Sequence, residues 1–312
     1  MTAHDPAFSG QDTAFSGLLG SDDEARWAFG TSFDDPLAGV DTTLPSGVDG
    51  TDLATYCLML GDDALISAQR LAQWSTRAPE LEEEVALANV GLDLLGQARL
   101  LLARAAAADP SVVPIMPAGS PAPPEDALAF FRDEPAWRNV RLVELENGDF
   151  AGCTVRLLLF ATHRLALLGR LAGSRDAVLA AVAAKGVKEA TYHRDYAARW
   201  VVTLAGGTAE SRRRTVAALA REWPFVAELF RTHPVERRMA EAGVGVDPAQ
   251  LRAEFDAVLA QVLHAGELAL PTGGSAGAVG GRTGRDGVHS EAMGRLLAEL
   301  QSVARAHPLG RW

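Results

Sequence analysis

The chain has 312 residues, of which 48% are hydrophobic and 22% are charged, and its formal net charge is −11. This balance is typical of a globular protein, and an acidic chain without a basic recognition helix argues against nucleic-acid binding, because phosphate neutralisation supplies most of that affinity. The two cysteines, Cys57 and Cys153, are too few for a disulfide framework or a thiolate zinc site.

Residues 1–50 carry most of the negative charge. They hold nine acids and one base, a charge of −8, which leaves −3 for the other 262 residues. They are rich in Gly, Ser, Thr, Asp and Pro and have no helical or strand period, so we predict a disordered N-terminal extension. A repeat at 7–10 and 14–17 (AFSG) is either chance or a motif that docks its phenylalanines on a partner. Neither a secretory signal nor about 18 uncharged apolar residues in a row occurs, so we expect a cytoplasmic protein without a membrane span.

Helical patterns begin at residue 51. Apolar residues at three- and four-residue spacing predict a helix over 52–75. The segment from Pro79 to about residue 107 is apolar nearly all round, which predicts a central, buried helix. Six prolines over 110–124 predict a loop, and short helices are expected at 125–132 and 135–146.

The second half of the chain continues this pattern. The pair Asn147-Gly148 is interpreted as a helix boundary rather than a hairpin, because a helical period follows it. Further helices are predicted at 150–172, 175–204, 209–230 with a bend near Pro224, 248–268 and 289–306. A Gly-rich stretch, 272–288, is expected to be a flexible loop. No period-2 run occurs, so the prediction is one all-α domain over 51–312, a long helical bundle with extra C-terminal helices.

Helical bundles build their sites from polar residues that face inward. Glu189 and His193 lie about 40° apart on the apolar side of their helix. Asp93 and Gln97 share a side of the helix that begins near Pro79. Once buried, such groups need a partner. The partner could be an iron, zinc or manganese ion; the alternative is a hydrogen bond between the groups or an ion pair with an arginine.

A complete di-iron centre is not expected from this chain alone. Such a centre draws a Glu from each of two helices and a Glu-x-x-His from each of two others. The helix over 150–172 offers only Arg156, Arg164, Arg170 and His163. The metal-ligand set is therefore incomplete.

Other polar residues are given structural interpretations. Asp63 flanks the apolar face of the first helix, whereas Asp62 points away from it and is predicted to be solvated. The run 212–214 (RRR) is predicted to be a solvated helix face, and the run 289–291 (HSE) a helix cap.

A dense set of motifs between residues 52 and 312 resembles a known family, the structural C-type subunits of ring-1,2-phenylacetyl-CoA epoxidases. These motifs are Leu60–Asp62, Gln69–Leu71, Ala86–Arg99, Phe131–Glu134, Val143–Glu144, Asn147–Phe150, Lys188–Ala190, Tyr192–His193, Trp223, Ala227–Phe230, Gly245–Pro248, His289–Glu291, Leu297–Glu299, Gln301 and Trp312.

The resemblance implies a ferritin-like, metal-free structural subunit that pairs with a homologous catalytic di-iron subunit. Their multicomponent monooxygenase would add one oxygen atom of O2 to the ring of phenylacetyl-CoA in phenylacetate catabolism, using electrons from NADPH through a separate reductase. We therefore expect no catalytic residue and no bound cofactor in this chain, with Asp93, Glu189 and His193 as a degenerate site. Two alternatives stay open: a ferritin-like oxygenase with its own metal at those three residues, and a CoA-ester-binding module that holds a phosphate at an arginine-rich helix end.

Overall fold

The computed structural model describes residues 37–310. Over this range the chain forms ten α-helices and no β-strand, apart from one isolated bridge between Val279 and Arg282. The all-α prediction is confirmed. The helices are α1 (Gly50–Ala72), α2 (Leu81–Ala108), α3 (Pro124–Phe130), α4 (Arg141–Glu144), α5 (Phe150–Leu171), α6 (Ala177–Gly206), α7 (Ala209–Val226), α8 (Pro234–Glu241), α9 (Arg252–Ala265) and α10 (Glu291–Ala306).

Four long helices, α1, α2, α5 and α6, build a helical bundle. Helix α1 packs along α2, α5 packs along α6, and α2 also packs against α6. Helix α7 packs against α5 and α6. Helix α8 packs against α1, α9 against α5 and α6, and α10 against α3 and α4. The apolar core between these helices is mainly aliphatic and includes the two free cysteines, which are both buried.

Side-chain caps determine where α1, α5, α6 and α7 begin. Asp49 accepts a hydrogen bond from Asp52 N at 3.0 Å, and Asp149 accepts one from Gly152 N at 2.9 Å. Asp176 and Thr208 cap α6 and α7 in the same way. Each cap satisfies a backbone donor that the first turn of a helix leaves free. The bounds of α1, α5 and α6 therefore fall within a few residues of those predicted.

Helix α2 differs from its prediction as a buried central helix. One side packs on α1 and α6, and its Leu87, Val90 and Leu94 are at most 2% exposed. The opposite side lies uncovered at the surface. Helix α2 is therefore apolar all round because one apolar face lies in the core and a second apolar face is open to solvent.

The segment 135–146 is also different from the predicted helix. It forms a 3-10 turn, Glu134–Ala136, and the four-residue helix α4. Its backbone N–H groups donate to carboxylates instead of to helical carbonyls: Arg138 N to Asp62 at 2.9 Å and Val140 N to Asp63 at 2.8 Å. These bonds hold the segment extended across α1.

Two further differences concern the C-terminal half. Helix α7 continues through Pro224 to Val226 and then tightens into the 3-10 turn Ala227–Phe230. Helix α8 was not predicted; it begins at Pro234, with a capping box between His233 and Glu236.

The described part of the predicted N-terminal extension contacts the bundle. Leu37 is buried, the Thr42 carbonyl accepts a hydrogen bond from Arg104 at 2.9 Å, and the Ser46 carbonyl accepts one from Arg175 at 3.2 Å. Residues 37–49 thus lie along the helices of the bundle. The AFSG repeat at 7–10 and 14–17, and Trp312, lie outside the described residues.

Two helices, α2 and α5, are long and apolar enough to cross a membrane by length and composition alone. In α5 the apolar window is 94% buried inside the bundle, as expected of a core helix. In α2 only 44% is buried, because its outer side is uncovered.

Candidate functional site

The polar residues singled out on α2 and α6 lie together between those helices. His193 Nε2 lies 3.0 Å from Asp93 Oδ2, and Gln97 Nε2 donates to Glu189 Oε2 at 2.8 Å. The two pairs are one helical turn apart on both antiparallel helices, a rise of about 5.4 Å. The structure therefore brings Asp93, Glu189 and His193 into one region, with Gln97 beside them.

A fifth residue, Arg164 of α5, completes this cluster from a third helix. Its Nε and Nη2 donate to Gln97 Oε1 at 3.0 and 2.8 Å, and its Nη1 donates to the Leu60 carbonyl at 3.1 Å. Since the Gln97 oxygen accepts from Arg164, its nitrogen is free to donate to Glu189, which fixes the orientation of the amide. Sequence reasoning named Arg164 without assigning it this role.

The charges of the cluster are balanced through hydrogen bonds. Burial lowers the pKa of Arg164 to about 10, which leaves it a cation at neutral pH. Burial also lowers the pKa of His193, against the hydrogen bond and charge of Asp93, so that His193 is neutral at pH 7. Lys185 Nζ lies 3.2 Å from the second oxygen of Glu189 at the rim.

This donor set does not fit the metal centre that ferritin-like bundles suggest. The described residues contain no group of three or more His, Cys, Asp or Glu side chains placed to hold a metal ion. An amide stands at position 97, and the guanidinium of Arg164 reaches that amide. A fixed cation repels a divalent metal, and a neutral amide is a weaker ligand than a carboxylate.

The prediction that Asp62 is solvated is wrong. Its side chain is fully buried and pairs with Arg132, whose Nη1 lies 3.0 Å from Asp62 Oδ2. Asp63 pairs with Arg285 at 2.8 Å, and Glu236 lies 3.6 Å from the same guanidinium. The outer side of α1 is covered by segments distant in sequence, so the pattern of α1 alone could not reveal these partners.

The Gly-rich stretch 272–288 is a loop, as predicted, but its end is anchored. Thr283, Gly284 and Arg285 are buried, and Gly284 N donates to Glu228 at 2.9 Å. Arg141 holds the preceding part through the carbonyls of Ala276 and Gly277. Hydrogen bonds therefore hold two parts of this loop against the rest of the chain.

The start of α10 is a cap of a different kind from the one predicted. Ser290 occupies the N-cap position, but its hydroxyl makes no hydrogen bond. Glu144 accepts from Ser290 N at 2.5 Å and lies 2.8 Å from His289 Nδ1. Burial acts to lower the pKa of His289, but the hydrogen bond and charge of Glu144 outweigh it and raise this pKa.

The arginines of α7 are engaged within the chain. Arg213 and Arg214 pair with Glu210 on the exposed surface, as the prediction of a solvated face requires. Arg212 donates to the carbonyls of Ala205 and Gly266. Since these donors already have partners, nothing in this helix favours a phosphate site.

A second candidate site is the uncovered side of α2, which we call the α2 stripe. It consists of four large side chains and the exposed Ala88, which recur at three-, four- and seven-residue spacing along one side of the helix. A groove of about 430 Å³ runs beside it towards α1, lined by Ala68, Ala72 and Gly91. The large members are Leu81 (72% exposed), Val85 (52%), Leu92 (63%) and Leu95 (45%).

The chain is similar to proteins of one known family. Residues 41–312 match the family model described as phenylacetic acid catabolic protein. The chain is 40% identical over 261 residues to the C-type subunit of the 1,2-phenylacetyl-CoA epoxidase of Escherichia coli (strain K12). That match covers 83% of this chain and 99% of the relative.

Proposed function

Since the chain belongs to the family of phenylacetic acid catabolic proteins, we propose that it is a structural, non-catalytic subunit of a cytoplasmic phenylacetyl-CoA 1,2-epoxidase. Its role would be to hold a homologous di-iron subunit that carries the active site. The relative is named as one subunit of an epoxidase. We extend that arrangement to this chain, with NADPH electrons delivered by a separate reductase.

The α2 stripe is the observation that carries the proposal. Contiguous exposed apolar surface is rare on monomeric soluble proteins and marks sites of association. The stripe lies on a helix of 28 residues next to a groove, which suits a helix of another subunit. We expect this face to form the centre of an obligate-type interface of more than about 2,000 Å².

The polar cluster supports a structural role in the same way. One oxygen of Glu189 accepts a hydrogen bond from Gln97, and the other pairs with Lys185. The carboxylate of Asp93 pairs with His193. These groups have partners without a substrate or a metal. The cluster also ties α6 to α2, the helix that carries the α2 stripe.

Reconstitution with the catalytic subunit tests this role. The Glu189→Gln variant keeps the shape of the side chain but removes its charge, so we expect lower stability of the isolated chain and near-native epoxidase activity of the assembled complex. A fall in activity of a hundredfold or more, with assembly unchanged, would contradict a structural role for this residue.

Metal analysis of the chain separates the proposal from the alternative of a self-contained oxygenase. We expect no stoichiometric iron in the chain produced without partners, and loss of iron and activity from the complex when the ligands of the partner are mutated. One or more equivalents of iron in the isolated chain would overturn the proposal.

A further inference from the structure

We propose that the guanidinium of Arg164 takes the place of a metal ion in this bundle, and that its charge is what keeps divalent metals out. The ligands Asp93, Glu189 and His193 remain, and a single carboxylate at position 97 in the absence of Arg164 would turn them into a metal site. This inference concerns the chain by itself and does not depend on the proposed partner.

The position of Arg164 is the first support. Its side chain is 3% exposed and reaches from α5 to the amide of Gln97, next to the contact between Gln97 and Glu189. A metal in a helical bundle likewise joins side chains from facing helices. Arg164 joins α5, α2 and, through Gln97, α6, so one cation links the same set of elements.

The second support is the way the charge of Arg164 is compensated. Among the described residues, no carboxylate forms an ion pair with Arg164, and the Gln97 amide relays its positive charge to Glu189. A buried cation without a direct counter-ion is costly. The charges of Asp63 and of Glu189 in the cluster act against this cost by raising the pKa of Arg164, so several negative groups compensate the cation without an ion pair.

The third support is the spacing of the remaining ligands. Asp93 and Gln97 are four residues apart on α2, and Glu189 and His193 are four residues apart on α6. In antiparallel helices this places position 97 opposite Glu189 and Asp93 opposite His193, as the two hydrogen bonds show. A Glu at 97 would give three carboxylates and one imidazole, a set that suits Mn²⁺, Fe²⁺ or Co²⁺.

The test uses Co²⁺ as a spectroscopic probe on the full-length chain. We expect the double variant Gln97→Glu/Arg164→Leu to take up one equivalent of Co²⁺, with visible d–d absorption and a thermal midpoint that rises with the metal concentration. The native chain and Gln97→Glu alone, which keeps the cation, should bind at least a hundredfold more weakly. Adding His193→Ala to the double variant should abolish the absorption.

The variant Gln97→Glu/Arg164→Gln keeps the proposal testable if the leucine double variant does not fold. It removes the charge of Arg164 but can still hydrogen-bond, and it keeps Asp93, Glu189 and His193 beside the new carboxylate. We expect saturable Co²⁺ binding that depends on His193. The proposal is overturned by a folded double variant of either kind that binds no Co²⁺, or by native chain that binds it equally well.

Discussion

The guanidinium of Arg285 lies 2.8 Å from the carboxylate of Asp63, although 222 residues separate the two in sequence. Both side chains are at most 5% exposed, and Arg285 also donates to the carbonyls of Met59 and Arg138. The pair thus joins the end of the Gly-rich loop to the first helix of the bundle.

Removing one partner of this pair should be strongly destabilising. The Asp63→Asn variant leaves Arg285 as a buried cation with only part of its compensation, and breaking a buried pair in this way costs about 3–5 kcal/mol. The free energy of unfolding from urea titrations measures the loss. The exposed pair between Arg305 and Asp133 is the matched control: its Asp133→Asn variant should lose less than about 1 kcal/mol. Equal losses in the two variants would contradict this assignment.

The same loop contains a glycine that close packing requires. A Cβ at Gly284 would lie 2.0 Å from the Asn139 carbonyl oxygen, so the Gly284→Ala variant must displace backbone. We expect a loss of about 1–3 kcal/mol or more in unfolding free energy. The control is Gly277→Ala, where a Cβ has nothing within 4 Å and stability should be nearly unchanged. Similar stability of both variants would show that the loop is not anchored at Gly284.

His163 should make stability depend on pH. It is buried against Phe230, and its Nε2 has no hydrogen-bond partner among the described residues. Burial, aided by the charges of Arg285 and Arg164, lowers its pKa from 6.5 to about 3. Below pH 6.5 the unfolded chain binds a proton that the folded chain refuses, so stability is complete above that pH and falls towards pH 3. The contribution is about 1.4 kcal/mol per pH unit.

The measurement compares unfolding free energies at pH 7, 6 and 5 for native chain and the His163→Phe variant. Replacing the imidazole also changes the unfolding free energy by an amount that does not depend on pH. Only the slope of the unfolding free energy against pH therefore isolates the titration of His163. We expect a shallower slope in the variant than in the native chain. An unchanged slope in His163→Phe would refute the assignment.

Much of the fold could be predicted from local signals. The apolar period predicts the long helices, and helical spacing places Glu189 and His193 on one inward side. The burial of Asp62 could not be predicted, because it depends on Arg132, 70 residues away. Which side chains pair across the bundle depends on the topology of the fold, and the apolar pattern of a single helix does not specify that topology.

The uncovered side of α2 shows a second limit of sequence patterns. A helix that is apolar all round has the same pattern whether its second face lies in its own core or at the surface. Only the packing around Leu92 and Leu95 distinguishes the two. The role of Arg164 was equally hidden, since a charged residue on a helix gives no indication of which amide it will reach.

The affinity of the chain for the catalytic subunit tests the central claim most directly. In the Leu92→Glu/Leu95→Glu variant two charges would be buried at the docking face, so we expect the dissociation constant to rise at least about a hundredfold, with the thermal stability of the isolated chain unchanged. Val216→Glu, at a 49% exposed apolar position on α7, should bind as the native chain does. Native affinity in the double variant would contradict the claim that the α2 stripe holds the catalytic subunit.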